Sequence, residues 1–178
     1  MTIQNVFGST APSAINVGSD TDQIVLGFLF KVATAGNVVG YRFYDGQYPL
    51  WNSAYREGSL WTVAGVQLAT KVSPNRTNNG WIEVLFDAPV AIAANTPYMI
   101  SVFHDLGNWS ATFAALEHDV VSGDITIYGS DNVPDGGAWQ GRYIETPTNA
   151  FPVNGSGGKS SYGVDVMFDA GSTQVDIS

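Results

Sequence analysis

G-W-I-E-V-L-F (80–86), P-V-A-I-A-A-N-T-P-Y (89–98) and I-S-V-F-H (100–104) decide how this chain folds. In the first stretch Ile82, Val84 and Phe86 alternate with Trp81, Glu83 and Leu85, the two-residue period of a strand with one face on a core. The last stretch repeats the pattern: Tyr98, Ile100, Val102 and His104 alternate with Met99, Ser101 and Phe103. Pro89 and Pro97 bracket the middle stretch and belong at strand starts or edges, because proline donates nothing to a ladder. Upstream lie I-V-L-G-F-L-F-K-V (24–32), G-Y-R-F-Y (40–44), G-S-L-W (58–61) and G-V-Q-L-A (65–69). The first of these reads as a strand buried on both faces. Downstream, Ile125–Tyr128 is a short strand, and Tyr162–Phe168 points Tyr162, Val164, Val166 and Phe168 inward.

Short strands about every ten residues, separated by Gly, Pro and Asn, predict an all-β antiparallel sandwich, jelly-roll or Ig-like in strand order, with long loops at one end. The Gly36-Asn37 pair reads as a tight hairpin corner. On the strand that follows, Val39, Tyr41 and Phe43 share one face, and Val38, Gly40, Arg42 and Tyr44 the other. The expected organisation is one domain over 1–178, with its core in 7–170 and arms at 1–6 and 171–178. A chain of this length buries roughly 70% of its unfolded surface without a staple.

The chain has no cysteine, which removes disulfides, thiol nucleophiles and Cys-ligated zinc together. Its 16 Asp and Glu against 7 Lys and Arg leave a formal charge of −9, a field that repels phosphate backbones. Nucleic acid is therefore not an expected partner. M-T-I-Q-N-V-F-G-S-T (1–10) lacks the basic and apolar regions of a signal peptide, and no stretch approaches the ~20 apolar residues of a membrane span. The expectation is a protein that acts in the cell that made it or leaves by assembly or lysis, with no membrane partner.

Taken together, F-G-S-T-A-P (7–12), L-G-F-L-F (26–30), G-Y-R-F-Y (40–44), G-S-L-W-T-V-A-G-V-Q-L-A (58–69), the three stretches quoted first, F-P (151–152) and Y-G-V-D-V-M-F (162–168) resemble a β-sandwich family catalogued as a domain of unknown function. The resemblance implies a module found in secreted actinobacterial and other bacterial proteins and in virion proteins of phages infecting actinobacteria. It carries over no catalytic residue. Residues 45–58 and 105–150 match it poorly.

Few residues are left over for chemistry. Arg42 and Asp165 sit in otherwise apolar strands, where an unpaired charge costs several kcal/mol, so they are expected to form a structural ion pair. His104-Asp105 and His118-Asp119 have the composition of a base and its orienter, but no nucleophile elbow accompanies them. Catalytic residues are therefore expected to be none, and cofactors none. Asp20 and Asp22 are weak candidates for calcium, as are Asp131 and Asp135; neither stretch has EF-hand spacing, so no metal is expected.

The loop aromatics Tyr48, Trp51, Tyr55, Trp109, Trp139 and Tyr143 remain as binding candidates. Such residues stack on sugars or anchor protein interfaces. These readings converge on a non-enzymatic virion surface protein of a tailed phage, a capsid decoration or minor tail component. Its expected partners are capsid or tail proteins and other copies of itself, with the tail T-Q-V-D-I-S (173–178) adding a strand to a neighbour's edge. The alternative is a carbohydrate-binding or adhesion module of a secreted bacterial protein, whose partner is a cell-surface glycan.

Overall fold

A computed structural model describes residues 2–15, 22–46 and 55–171. Among them the strands are β1 (Ile3–Gln4), β2 (Ile24–Val32), β3 (Gly36–Asp45), β4 (Arg56–Thr62), β5 (Gln67–Val72), β6 (Gly80–Ile92), β7 (Tyr98–His104), β8 (Val120–Ser122), β9 (Ile125–Ile127), β10 (Arg142–Glu145), β11 (Asn154–Gly155) and β12 (Val164–Asp169). One sheet has the order β1-β12-β3-β6, the other β11-β10-β2-β7-β4-β5, with β9 and β8 continuing beside the end of β2. Every pairing is antiparallel. The fold is an antiparallel β-sandwich.

Between the sheets, Leu26, Phe28 and Phe30 of β2 and Ile100 and Val102 of β7 meet Tyr41 and Phe43 of β3 and Val164, Val166 and Phe168 of β12. Each such side chain contributes about 1.5–3 kcal/mol through removal from water. The Tyr41 ring lies directly over Gly58, where an added Cβ would come within 2.3 Å of it, and its hydroxyl donates to the Lys71 carbonyl at 2.8 Å. Gly58 is there because no side chain fits beneath that ring.

Several local expectations are corrected. Gly36-Asn37 is not a hairpin corner: β2 and β3 lie in different sheets, and the connection crosses the sandwich. Both neighbours of β3 skip Val39, pairing with Val38 and then Gly40. This bulge shifts the phase. Val38 joins Tyr41 and Phe43 in the core, and Val39, though buried, falls outside that cluster. Pro89 is on an edge strand, one of the two places expected for it, though inside the strand and not at its start. β6 runs through it, and Phe86–Pro89 slip out of register with β3, where a missing N–H costs nothing. Ile3 and Gln4, expected in an arm, pair with Asp169 and Phe168 at the sheet edge.

The long loops do not all gather at one end. The segments on either side of β10 fold over the outer face of the larger sheet. Tyr128, Val133 and Phe151 cover Leu29, Trp61 and Met99, with the Phe151 and Trp61 rings edge to face at 6.0 Å. Leu29 faces a gap between β10 and β9, and the Gln140 amide fills it. Gln140 accepts from Leu29 N–H and donates to Leu29 C=O, each at 3.1 Å, as a neighbouring strand would. This third layer is why β2 is apolar on both faces.

Candidate functional site: two grooves beside the start of β2

The irregular stretch after β7 is tied down on both sides. Ala111 exchanges backbone hydrogen bonds with Ala14, and Thr112 with Ser161, while Ala114 and Leu116 donate to Gly158 and Lys159. These ties place Trp109 against Tyr162, edge to face with centroids 5.2 Å apart. On the facing sheet, β10 pairs Tyr143 with Leu26 and Glu145 with Ile24, so strand alternation sets both side chains on the inner side at the sheet's edge.

An open groove of about 290 Å³ lies between them. Ile24 and Leu26 floor it, Trp109, Tyr143 and Tyr162 wall it, and Glu145, Ser156 and Gly157 line its polar side. The Trp109 indole nitrogen is buried without a hydrogen-bond partner. Burial pushes the Tyr162 phenol above its ordinary value, and a hydrogen bond with Ser156 pulls the other way. Trp139 is exposed and stands beside Gly157, where an added Cβ would lie 3.8 Å from its ring.

On the opposite face of the same strand end lies a second groove, of about 350 Å³, lined by Gln23, Tyr55, Glu57, Phe103, Asp105 and the segment 147–149. Tyr55 is half exposed and sits edge-on to Phe103 at 6.0 Å. Its backbone N–H donates to Asp105 at 2.9 Å and its hydroxyl to Glu57 at 3.0 Å. Burial and the Glu57 carboxylate raise its phenol.

The sequence candidates therefore divide. Trp109 and Tyr143 meet in one groove, Trp139 stands at its margin, and Tyr55 belongs to the other. Tyr48, Trp51, Asp20 and the 173–178 tail lie outside the described residues. Sequence reading missed Glu145, Ser156, Gln23 and Asn149, which no local motif marks, and it read Tyr162 only as core. Their convergence is a product of topology.

Arg42 and Asp165 are joined at 2.7 and 3.1 Å. Asp165 also accepts from the N–H groups of Val6, Phe7 and Val166, and the Arg42 guanidinium stacks 4.4 Å from the Trp81 ring. Burial pushes the Asp165 carboxyl up, while the Phe7 N–H and Arg42 hold it down. Neither histidine bonds the aspartate that follows it. His118 pairs with Asp131 at 2.6 Å, and Asp119 accepts from Gly129 N–H at 2.7 Å. Asp105 pairs with Arg56 at 3.1 Å, whereas both ring nitrogens of the buried His104 lack partners. Asp135 is bound to Arg142 at 2.6 Å. Among the described residues, no group of three or more His, Asp or Glu is arranged to hold a metal, Asp22 included.

The fold and its grooves define a β-sandwich whose groove-lining aromatics collect at one end of a central strand. The family described as Domain of unknown function (DUF4082) matches residues 9–164, and the chain belongs to it. No curated protein matches the chain.

Proposed function

We propose that the protein is a non-catalytic carbohydrate-binding module whose ligand lies in the groove walled by Trp109, Tyr143 and Tyr162. The observation that carries this reading is the Trp109 indole: a large apolar face at a groove wall, with its N–H lacking an acceptor and Glu145 and Ser156 alongside. Sugars present apolar C–H faces and polar edges at once, the combination that aromatic side chains with hydrogen-bonding tips accommodate. No reacting group is needed for this work.

The test is a glycan panel followed by calorimetry. Wild type binds at least one polysaccharide class, and Trp109→Ala weakens it by roughly thirty-fold, the ~2 kcal/mol typical of an aromatic anchor. Replacement of the exposed Glu145 by Ala weakens it with an unchanged melting temperature. Failure of wild type to bind any glycan removes the proposal. The virion-surface reading would then take its place if purified virions contain the protein. Its support is the exposure of Leu68 and Val72 on β5 and of Leu85 on β6, apolar side chains on the free edges of the two sheets.

A further inference from the structure

The second groove is rich in acceptors with capacity to spare. Each oxygen of Glu57 receives one hydrogen bond, from Tyr55 Oη and Thr70 Oγ1, and each oxygen of Asp105 receives one, from Tyr55 N–H and Arg56 Nη1. A carboxylate accepts about four, so both remain half open. Asn149 donates through Nδ2 to Ser59 at 2.6 Å, yet its Oδ1 is buried with no donor at all. A ligand for this wall must donate hydrogen bonds. It must also tolerate two carboxylates on a chain of net charge −9, which excludes anions. Tyr55 and Phe103 supply the apolar surface. A neutral polyhydroxylated chain meets all of these conditions.

The two grooves are back to back. Ile24, the first residue of β2, floors the first and Gln23, the residue just before it, lines the second. Glu145 lines the first and Asn149 the second, four peptide steps on and so at most about 15 Å away. Between them Thr146 N–H is fixed to Gln23 C=O at 3.0 Å, which makes a firm ridge.

We infer that the second groove is a further sugar-binding subsite, and that one neutral glycan chain crosses the 145–149 ridge to occupy both grooves. The inference rests on the carbohydrate reading of the first groove. Linked occupation converts the second contact into an intramolecular one, so affinity rises once the oligosaccharide is long enough to span the ridge.

The experiment titrates wild type, Tyr55→Ala, Glu57→Gln and Trp109→Ala with a length series of the neutral oligosaccharide selected by the panel. Expected is a step of about ten-fold or more in affinity at the spanning length. Tyr55→Ala and Glu57→Gln abolish that step and leave the shortest binding oligosaccharide unaffected; Trp109→Ala weakens every length. A smooth length dependence, or a step indifferent to both second-groove variants, overturns the inference while the first groove stands. Binding of no oligosaccharide by wild type overturns both.

Discussion

His104 closes β7 on the strand's inward phase, with Ile24 and Arg56 as its cross-strand neighbours. It is buried, and its pKa is pushed well below the ordinary histidine value, first by burial and then by the charges of Arg56 and Arg76. Asp105 and Asp45 neutralise those arginines and are the acidic groups facing the same end. The unfolded chain accepts a proton near pH 6.5 that the folded chain refuses. The associated stability is complete above that pH and is lost as the pH falls below it, by at most about 1.4 kcal/mol per unit. His118 has the opposite sign. The Asp131 hydrogen bond raises its pKa, so its contribution is present below pH 6.5 and lost as pH rises through the elevated value. Denaturant unfolding of wild type and His104→Leu should give parallel stabilities above pH 7 and a wild type that falls away from the variant between pH 6.5 and 5. Curves parallel throughout would contradict the account. The inward phase of His104 was legible from its alternation with Ile100 and Val102. Its isolation was not, because an Asp at the next position suggests a dyad that strand geometry prevents.

At the scale of elements, Asp165 joins three segments. It sits on β12, pairs with Arg42 on β3, and receives the N–H groups of Val6 and Phe7 just after β1. Asn5 reinforces the junction by accepting from Arg42 Nη2 at 2.7 Å. Removing one partner of a buried pair leaves the other uncompensated, at about 3–5 kcal/mol. Asp165→Ala should therefore lower the melting temperature by about 6–20 °C, at 2–4 °C per kcal/mol for a chain of this size. Hydrogen exchange should accelerate first at Val6 and Phe7. Unchanged protection there would refute the docking role. Two charges in apolar strands signalled a pair, since the desolvation cost leaves few alternatives. The N-terminal strand carried no such signal, being two residues long. Nor did the bulge at Val39, where one skipped residue reverses the phase of Val38 with no change in composition.

For the whole molecule, hydrophobic period gave the two-sheet architecture, because a period of two fixes which residues face the core. What it could not give was the covering of the larger sheet by the segments that flank β10. That layer is held by single contacts such as Gln140 on Leu29 and Phe151 on Trp61, scattered among Gly, Pro and Asn. The candidate site was legible only in part, for the same reason. Trp109 and Tyr143 stood out as aromatics beyond firm strand patterns, but their meeting with Tyr162 and Glu145 depends on β10 pairing with β2 across more than a hundred residues.

The central claim is that this meeting makes a sugar site, and amide NMR of the labelled protein titrated with the shortest binding oligosaccharide tests it most directly. The account predicts saturable shifts concentrated at residues 24–26, 109, 143–145, 156–157 and 162, with the β5 and β6 edges silent. Shifts confined to those edges, or none at saturating ligand, would contradict it.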